Sequence, residues 1–383
     1  MDVLSRRELF KRMHFGVALG LSPNRPSFAE VDEMAETERE AMAASAAAFM
    51  TSFGVPGLSI TIARNGSRVY EHAFGVANVE SGERLNSAHL FRIASVTKPI
   101  TSVAVFSLFE QQKLHLNDKV FGEHGILGTF YGSQPYKQFV EDVTVEHLLT
   151  HTAGGWQNDS RDPMFRFPQM DQKQLISWTL DNLPLEHNPG ERWAYSNFGY
   201  CVLGRVIEKV AGKSYRDFVQ KTVLAPCGIS DMRIANTSKI QRVRNEVTYY
   251  GQNGEDPYSP NMNIERMDSH GGWIATSGDL VNFAMHVDGF LNTPNILSRA
   301  TLAEMTKPTP ANSRYAKGWA VNSLGNWWHI GSLPGTTSVM VRTSSGFCWA
   351  ALANTRRQPS NEIDHALDSL IWEMVRKVRA WQA

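Results

Sequence analysis

Three short strings in this sequence bring together residue types that can do chemistry as a group. Ser95 stands three residues before Lys98 in Phe91-Arg92-Ile93-Ala94-Ser95-Val96-Thr97-Lys98, just ahead of an apolar run through Val103, Val105 and Phe106. With a helix beginning at Ser95, one turn brings Lys98 onto the serine's face. A serine hydroxyl becomes a nucleophile when a neighbouring base takes its proton, and a lysine can be that base once burial or nearby cations keep its amine neutral. The free N–H groups at the helix start suit a developing oxyanion. The second string, Pro189-Gly190-Glu191-Arg192-Trp193-Ala194-Tyr195-Ser196-Asn197, sets Tyr195 and Asn197 two apart on an extended segment before a helix from Phe198. Both side chains then face one way, a phenol to relay protons and an amide to hold lysine and a substrate carbonyl. The same residues also suit an ordinary helix cap at Asn197 with Tyr195 packed below it. In the third string, Trp328-His329-Ile330-Gly331-Ser332-Leu333-Pro334-Gly335, His329 and Gly331 share a face, and Gly331 lets a substrate lie against the backbone. His14-Phe15-Gly16 and His270-Gly271-Gly272 repeat the HxG spacing without a β element beside them.

The elements that must carry these residues are legible from periodicity. Residues 57–63 alternate apolar and polar, Asn65-Gly66 is a hairpin turn, and 69–75 answers as the second strand. Residues 337–343 and 347–353 form another β pair around Ser344-Ser345-Gly346. Helical patterns cover 31–53, 100–112, 145–150, 173–182, 197–210, 215–223 and 362–381. Strands at both chain ends with a helical middle predict an α+β fold. One antiparallel sheet flanked by helices is built from 31–94 and 268–383, and an inserted, mostly helical domain from 95–267. The active cleft is expected between the two lobes.

The order of the strings is more specific than any one of them. Serine and lysine at a helix start, tyrosine and asparagine about a hundred residues later, then a basic residue and glycine on a late strand: this sequence resembles the serine β-lactamase and penicillin-binding family. It is most similar to the branch of class C β-lactamases, D-aminopeptidases, DD-carboxypeptidases and related esterases. The likeness covers about residues 40–375 and includes Val145-Glu146-His147-Leu148-Leu149-Thr150-His151-Thr152-Ala153-Gly154-Gly155, which is similar to that branch's HLLTHTSG segment. The resemblance implies Ser95 as the acylated nucleophile, Lys98 as its proton acceptor and Tyr195 as the group that assists proton transfer to the leaving group and from the deacylating water. It implies Asn197 as the amide that orients lysine and substrate, and the N–H groups of Ser95 and Ser332 as the oxyanion hole. His329 and Gly331 complete the substrate-binding set. The implied reaction is hydrolysis of an ester or of an amide or peptide bond in a small substrate, through an acyl-enzyme, with no cofactor and no metal.

One position departs from the penicillin-binding pattern, where the third string is usually KTG. A histidine with an ordinary pKa near 6.5 is mostly neutral and pairs poorly with a substrate carboxylate. That places a DD-carboxypeptidase or class C-like β-lactamase behind an esterase or D-aminopeptidase-like peptidase. A catalytically weak peptide-binding or sensor protein of the same fold is the alternative from another class. A zinc site on His147 and His151 lacks the glutamate of HExxH, since Leu148 occupies its place. An α/β-hydrolase elbow needs glycines that do not flank Ser95. Trp156, Trp193, Trp327 and Trp328 lie near the strings, as cleft walls or as core.

Composition removes other classes. Lysine plus arginine equals aspartate plus glutamate at 38 each, so no net field attracts nucleic acid. The longest apolar run near the N-terminus is about seven residues, against the roughly 18 to 20 of a transmembrane helix. Cys201, Cys227 and Cys348 read as buried apolar residues. Residues 1–30, with Arg6-Arg7 ahead of a short apolar stretch, resemble a twin-arginine export signal, which implies a periplasmic or secreted protein; without export it is cytoplasmic.

Overall fold

The computed structural model describes residues 35–381, so the expected export segment lies outside the described residues. Helix α1 (Glu36–Phe53) stops at Gly54, whose φ of 61° turns the chain left-handed before Pro56. Strands β1 (Gly57–Arg64) and β2 (Ser67–Asn78) follow, joined by Asn65 and Gly66 with φ of 48° and 82°, the positive pair that a tight two-residue hairpin requires. The short strands β3 (Glu83–Arg84) and β4 (Phe91–Arg92) lead to α2 (Thr97–Glu110). The helical region then runs through α3 (Val145–Leu149), α4 (Gln172–Asn182), α5 (Asn197–Ala211) and α6 (Tyr215–Val219). Strands β5 (Arg233–Ile234), β6 (Tyr250–Gly251) and β7 (Trp273–Ala275) bring the chain back to α7 (Ser277–Met285) and α8 (Arg299–Met305). The chain then forms β8 (Ala320–Val321), β9 (Trp327–Leu333), β10 (Thr336–Arg342), β11 (Phe347–Ala353), β12 (Thr355–Arg356) and α9 (Ser360–Lys377).

Seven strands form one antiparallel sheet in the order β3-β2-β1-β11-β10-β9-β8, so both chain ends contribute to it as expected. Alternation sorts its residues between two cores. Leu58, Ile60, Ile62, Val339, Val341, Trp349 and Ala351 pack under α1 and α9, whose own apolar stripe is Ile363, Leu367, Leu370, Ile371 and Met374. The opposite residues, Met340, Cys348, Ala350 and Leu352, belong to a second core that continues through α2 into Leu148, Leu175 and Phe198 of the helical region. Strands β10 and β11 are therefore buried on both faces. The described residues, 35–381, form one compact unit. All three cysteines are buried thiols.

Candidate active site

Beyond β4 the chain turns through Ala94 at φ 47° into the short 3-10 turn Ala94–Val96, and α2 begins two residues after Ser95. The one-turn spacing survives this shift. Lys98 is fully buried, and its Nζ lies 3.0 Å from Ser95 Oγ, 2.8 Å from Asn197 Oδ1 and 3.1 Å from the His270 carbonyl. Burial pushes the amine well below the ordinary lysine pKa, with Asp162 opposing that shift. A neutral amine has two N–H groups and one lone pair. Two of its three partners, the Asn197 and His270 oxygens, can only accept, so they take the N–H groups and the lone pair is left for the Ser95 hydroxyl. This is the geometry of a base poised on its nucleophile.

Tyr195 is placed by its neighbours in sequence. Ala194 N–H donates to the His151 carbonyl at 2.8 Å, Ser196 N–H to His151 Nδ1 at 3.1 Å, and Asn158 N–H to the Tyr195 carbonyl at 2.7 Å. Ser196, not Asn197, caps α5, its Oγ accepting from Gly199 N–H, which releases the Asn197 side chain for the cleft. The Tyr195 ring lies 4.7 Å from Lys98 Nζ. Burial raises its phenol pKa, and hydrogen bonding with the Ser95 side chain opposes the rise.

His329 and Gly331 do share the face of β9 that looks toward Ser95. A Cβ at residue 331 would overlap Ile93 O and Ser338 Oγ and come within 3.1 Å of Ser95 N, so only glycine lets this strand approach the nucleophile. Strand β8 pairs β9 only at Trp327 and Trp328, leaving the stretch from His329 to Leu333 as an open edge. Ser332 lies on that edge, its hydroxyl buried with no hydrogen-bond partner among the described residues.

The His329 ring itself is engaged. Its Nε2 lies 3.1 Å from Tyr315 Oη, Tyr315 Oη lies 3.1 Å from His151 Nε2, and His329 Nδ1 lies 2.7 Å from the Ile330 carbonyl. Backbone groups at the two ends fix every proton in this chain. Ser196 N–H must donate to His151 Nδ1, so His151 Nε2–H donates to Tyr315, the Tyr315 hydroxyl donates to His329 Nε2, and His329 Nδ1–H donates to Ile330 O. Both imidazoles are thereby neutral. Burial chiefly holds His151 well below the ordinary histidine value and His329 down to about 3, and a charge on Lys98, when it carries one, acts in the same direction.

The cleft in front of Ser95 has a volume of about 300 Å³ and is lined in part by Asn197, Phe165, Met267, His270 and Arg356. Arg356 is held by Glu255, with Nε donating to Oε2 at 3.0 Å and Nη2 to Oε1. The four tryptophans divide: Trp193 stands 38% exposed beside Tyr195 and Tyr315, Trp156 is buried in the helical core, Trp328 packs in the core under α1 and α9, and Trp327 lies under the Arg342 guanidinium. His147 is spent on capping α3 through Thr144 N–H. Asp162 and Tyr315 escaped the sequence reading, because no spacing links them to the strings they touch; His270 entered it only as a spare copy of the HxG spacing, although the short strand β7 follows it at Trp273.

The sequence model of the family described as Beta-lactamase matches residues 37–371. The chain belongs to the Beta-lactamase family. Penicillin-binding protein 4* of Bacillus subtilis (strain 168) is 26% identical over 308 residues, covering 74% of this chain and 64% of that protein, so the chain spans less than two thirds of that relative's length. The D-amino acid amidase from Ochrobactrum anthropi SV3, solved with L-phenylalanine, shares the fold at a TM-score of 0.74 and 20% identity, covering 89% of this chain and 100% of that one. EstCE1, a hydrolase with promiscuous acyltransferase activity, does so at 0.69 and 20%, covering 87% and 98%. In this Beta-lactamase family member the three strings meet in one cleft, with Ser95 at its base and Lys98 sealed behind it. Among the described residues, no helix is long and apolar enough to cross a membrane.

Proposed function

We propose that this protein is a serine hydrolase that cleaves an ester or amide bond of a small, uncharged substrate through an acyl-enzyme on Ser95. The observation that carries the reading is the buried Lys98 amine, 3.0 Å from Ser95 Oγ, with both other partners able only to accept. In the acylation step Ser95 Oγ bonds to the substrate carbonyl carbon while its proton passes to Lys98 Nζ. The Ser95 and Ser332 N–H groups receive the oxyanion. Tyr195 passes its proton to the departing alcohol or amine and takes up the one held on Lys98, and the C–O or C–N bond breaks. Water then attacks the ester by the reverse relay and restores Ser95.

Charge in the cleft favours neutral acyl donors over carboxylates. His329 is neutral, and Arg356, the one cation among the described lining residues, is paired with Glu255. The names of the amidase and the acyl-transferring hydrolase that share the fold agree with amide or ester chemistry. The test is intact-protein mass after brief exposure to p-nitrophenyl esters, D-alanyl amides and a penicillin, with hydrolysis followed in parallel. The expected result is a transient acyl adduct with rapid ester or amide turnover, both lost in Ser95→Ala. A long-lived penicillin adduct with no turnover of the other two would transfer the protein to the penicillin-binding peptidases, and no adduct with any of them would make it a binding protein.

A further inference from the structure

The two-acceptor arrangement around Lys98 depends on which way the Asn197 amide faces, and an asparagine can present either end. With Oδ1 toward Lys98 it consumes an N–H of the amine; with Nδ2 toward Lys98 it would donate into the lone pair that Ser95 needs. Asp162 decides the matter. Its Oδ2 lies 2.9 Å from Asn197 Nδ2, and an ionised carboxylate can only accept.

We propose that Asp162 is a positioning residue of the catalytic apparatus: it locks the Asn197 amide so that the Lys98 lone pair stays directed at Ser95, and it supplies the buried negative charge that offsets Lys98 once it takes the serine proton. The proposal rests on the acyl-enzyme reading given above. Asp162 is 1% exposed and makes no direct ion pair among the described residues, a costly state for a carboxylate with only a structural task. It is itself held firmly. Its Oδ1 accepts from Met164 N–H at 2.9 Å, capping the turn Pro163–Phe165, and the backbone beyond is gripped by Arg266. That guanidinium donates to the carbonyls of Met164 and Arg166 at 3.0 Å and of Phe167 and Met170 at 2.7 Å. One loop thus carries both Phe165 of the cleft wall and the carboxylate behind the base.

Acylation breaks the Ser95 O–H bond and forms an N–H bond on Lys98, creating a cation at a site with no access to water. Asp162 faces Lys98 from outside α2, Asn197 and Tyr195 from the start of α5, Arg266 from the turn Glu265–Met267 and Asp159 from its own loop. The other titratable groups near Lys98 are Tyr200, whose phenol burial raises well above its ordinary value, and His151, His270 and His329, all kept neutral by burial. Burial also pushes Asp162 up, to about 6, against the hydrogen bonds from Asn197 and Met164 and the pull of Lys98. The pair therefore titrates as a unit. Removing the charge at 162 makes Lys98 easier to deprotonate, so activity must persist to lower pH even as the rate falls.

The experiment is the profile of kcat/KM against pH for p-nitrophenyl acetate, from about pH 5 to about pH 9, on the full chain. The variants are Asp162→Asn, Asp162→Ser and Asp162→Glu, with Ser95→Ala as the blank. Asp162→Ser keeps a hydroxyl able to cap the Pro163–Phe165 turn, so it serves if the asparagine variant does not fold. The expected result is an acid limb shifted down by about one pH unit in the neutral variants, with the plateau reduced about tenfold or more, and a wild-type limb in Asp162→Glu. Profiles of the neutral variants that superimpose on wild type after vertical scaling would overturn the proposal, as would an equal shift in Asp162→Glu. Turnover surviving in Ser95→Ala would instead overturn the acyl-enzyme reading itself.

Discussion

Both nitrogens of His329 are committed before any substrate arrives, one to Tyr315 and one to its own neighbouring carbonyl. A residue in that state steers the strand edge more than it binds an anion. Its protonation has a clear thermodynamic signature. The folded value near 3 lies below the ordinary 6.5, so the unfolded chain binds the extra proton between those limits. The stability contributed by His329 is complete above about pH 6.5 and is lost as pH falls toward 3. His329→Gln removes that titration, so the gap in unfolding free energy between wild type and variant is expected to close by about 2 kcal/mol from pH 7 to pH 5. Urea unfolding at the two pH values measures it, and a constant gap would mean that His329 is not held neutral. The sequence shows why Ser95, Lys98, Tyr195 and Asn197 were legible and their supports were not. The first four lie within short strings whose spacing has chemical meaning, whereas Asp162 meets Asn197 across 35 residues of chain and Tyr315 meets His151 across 164. Such contacts exist only once the helical region has closed on the sheet.

The turn Ala94–Val96 and the open edge of β9 act as one device, since the proposed oxyanion site, the N–H groups of Ser95 and Ser332, lies in the gap between them. That gap is set by the missing side chain at Gly331. Gly331→Ala is expected to push β9 away from Ile93 O and Ser338 Oγ, costing about 1–3 kcal/mol of stability and about a hundredfold in kcat/KM. Ester hydrolysis and the rate of Ser95 labelling by a fluorophosphonate test this together, and activity within about threefold of wild type would show that the close approach is not needed. At this scale periodicity was informative where an element is long and one-sided. The hairpin at Asn65-Gly66, the late strands and the helices beginning near 172, 197 and 360 all occur within a few residues of their expected places. The helix expected over 215–223 instead continues beyond Val219 as the single π turn Gln220–Leu224, and the strands β3 to β8 are two or three residues long, too short to show a period. Their positions follow from partners rather than from their own sequence. The two-residue strand β4 exists because β7 lies beside it, and it is what delivers Ser95 to the cleft.

On the scale of the whole molecule, strands from both chain ends must close into one sheet before the cleft has a wall, and the segment from Tyr315 to Gly318 ties that sheet to the helical side. Tyr315 links the two histidines. Lys317 is 1% exposed, with Nζ 3.2 Å from Glu146 on α3 and 3.1 Å from Glu304 on α8, and its carbonyl accepts from Ser102 on α2 at 2.5 Å. Gly318, at φ 88°, passes so close to Ser102 and the Lys98 carbonyl that a side chain there would displace α2. Four residues therefore register three helices against the edge of the sheet. Lys317→Met keeps most of the packing volume and removes the cation from between two carboxylates. Because each carboxylate is more than a third exposed and can rehydrate, the expected loss is at the lower end for a broken buried pair, about 3 kcal/mol. Lys317 does not touch the cleft, so kcat/KM of the folded fraction is expected to stay within about tenfold of wild type. Urea unfolding and ester kinetics on the same preparation separate the two effects. A stability loss under about 1 kcal/mol would mean that the sheet and the helical region are held by apolar contact alone, while a collapse of activity in a stable variant would mean that the seam sets the geometry of α2 at Lys98.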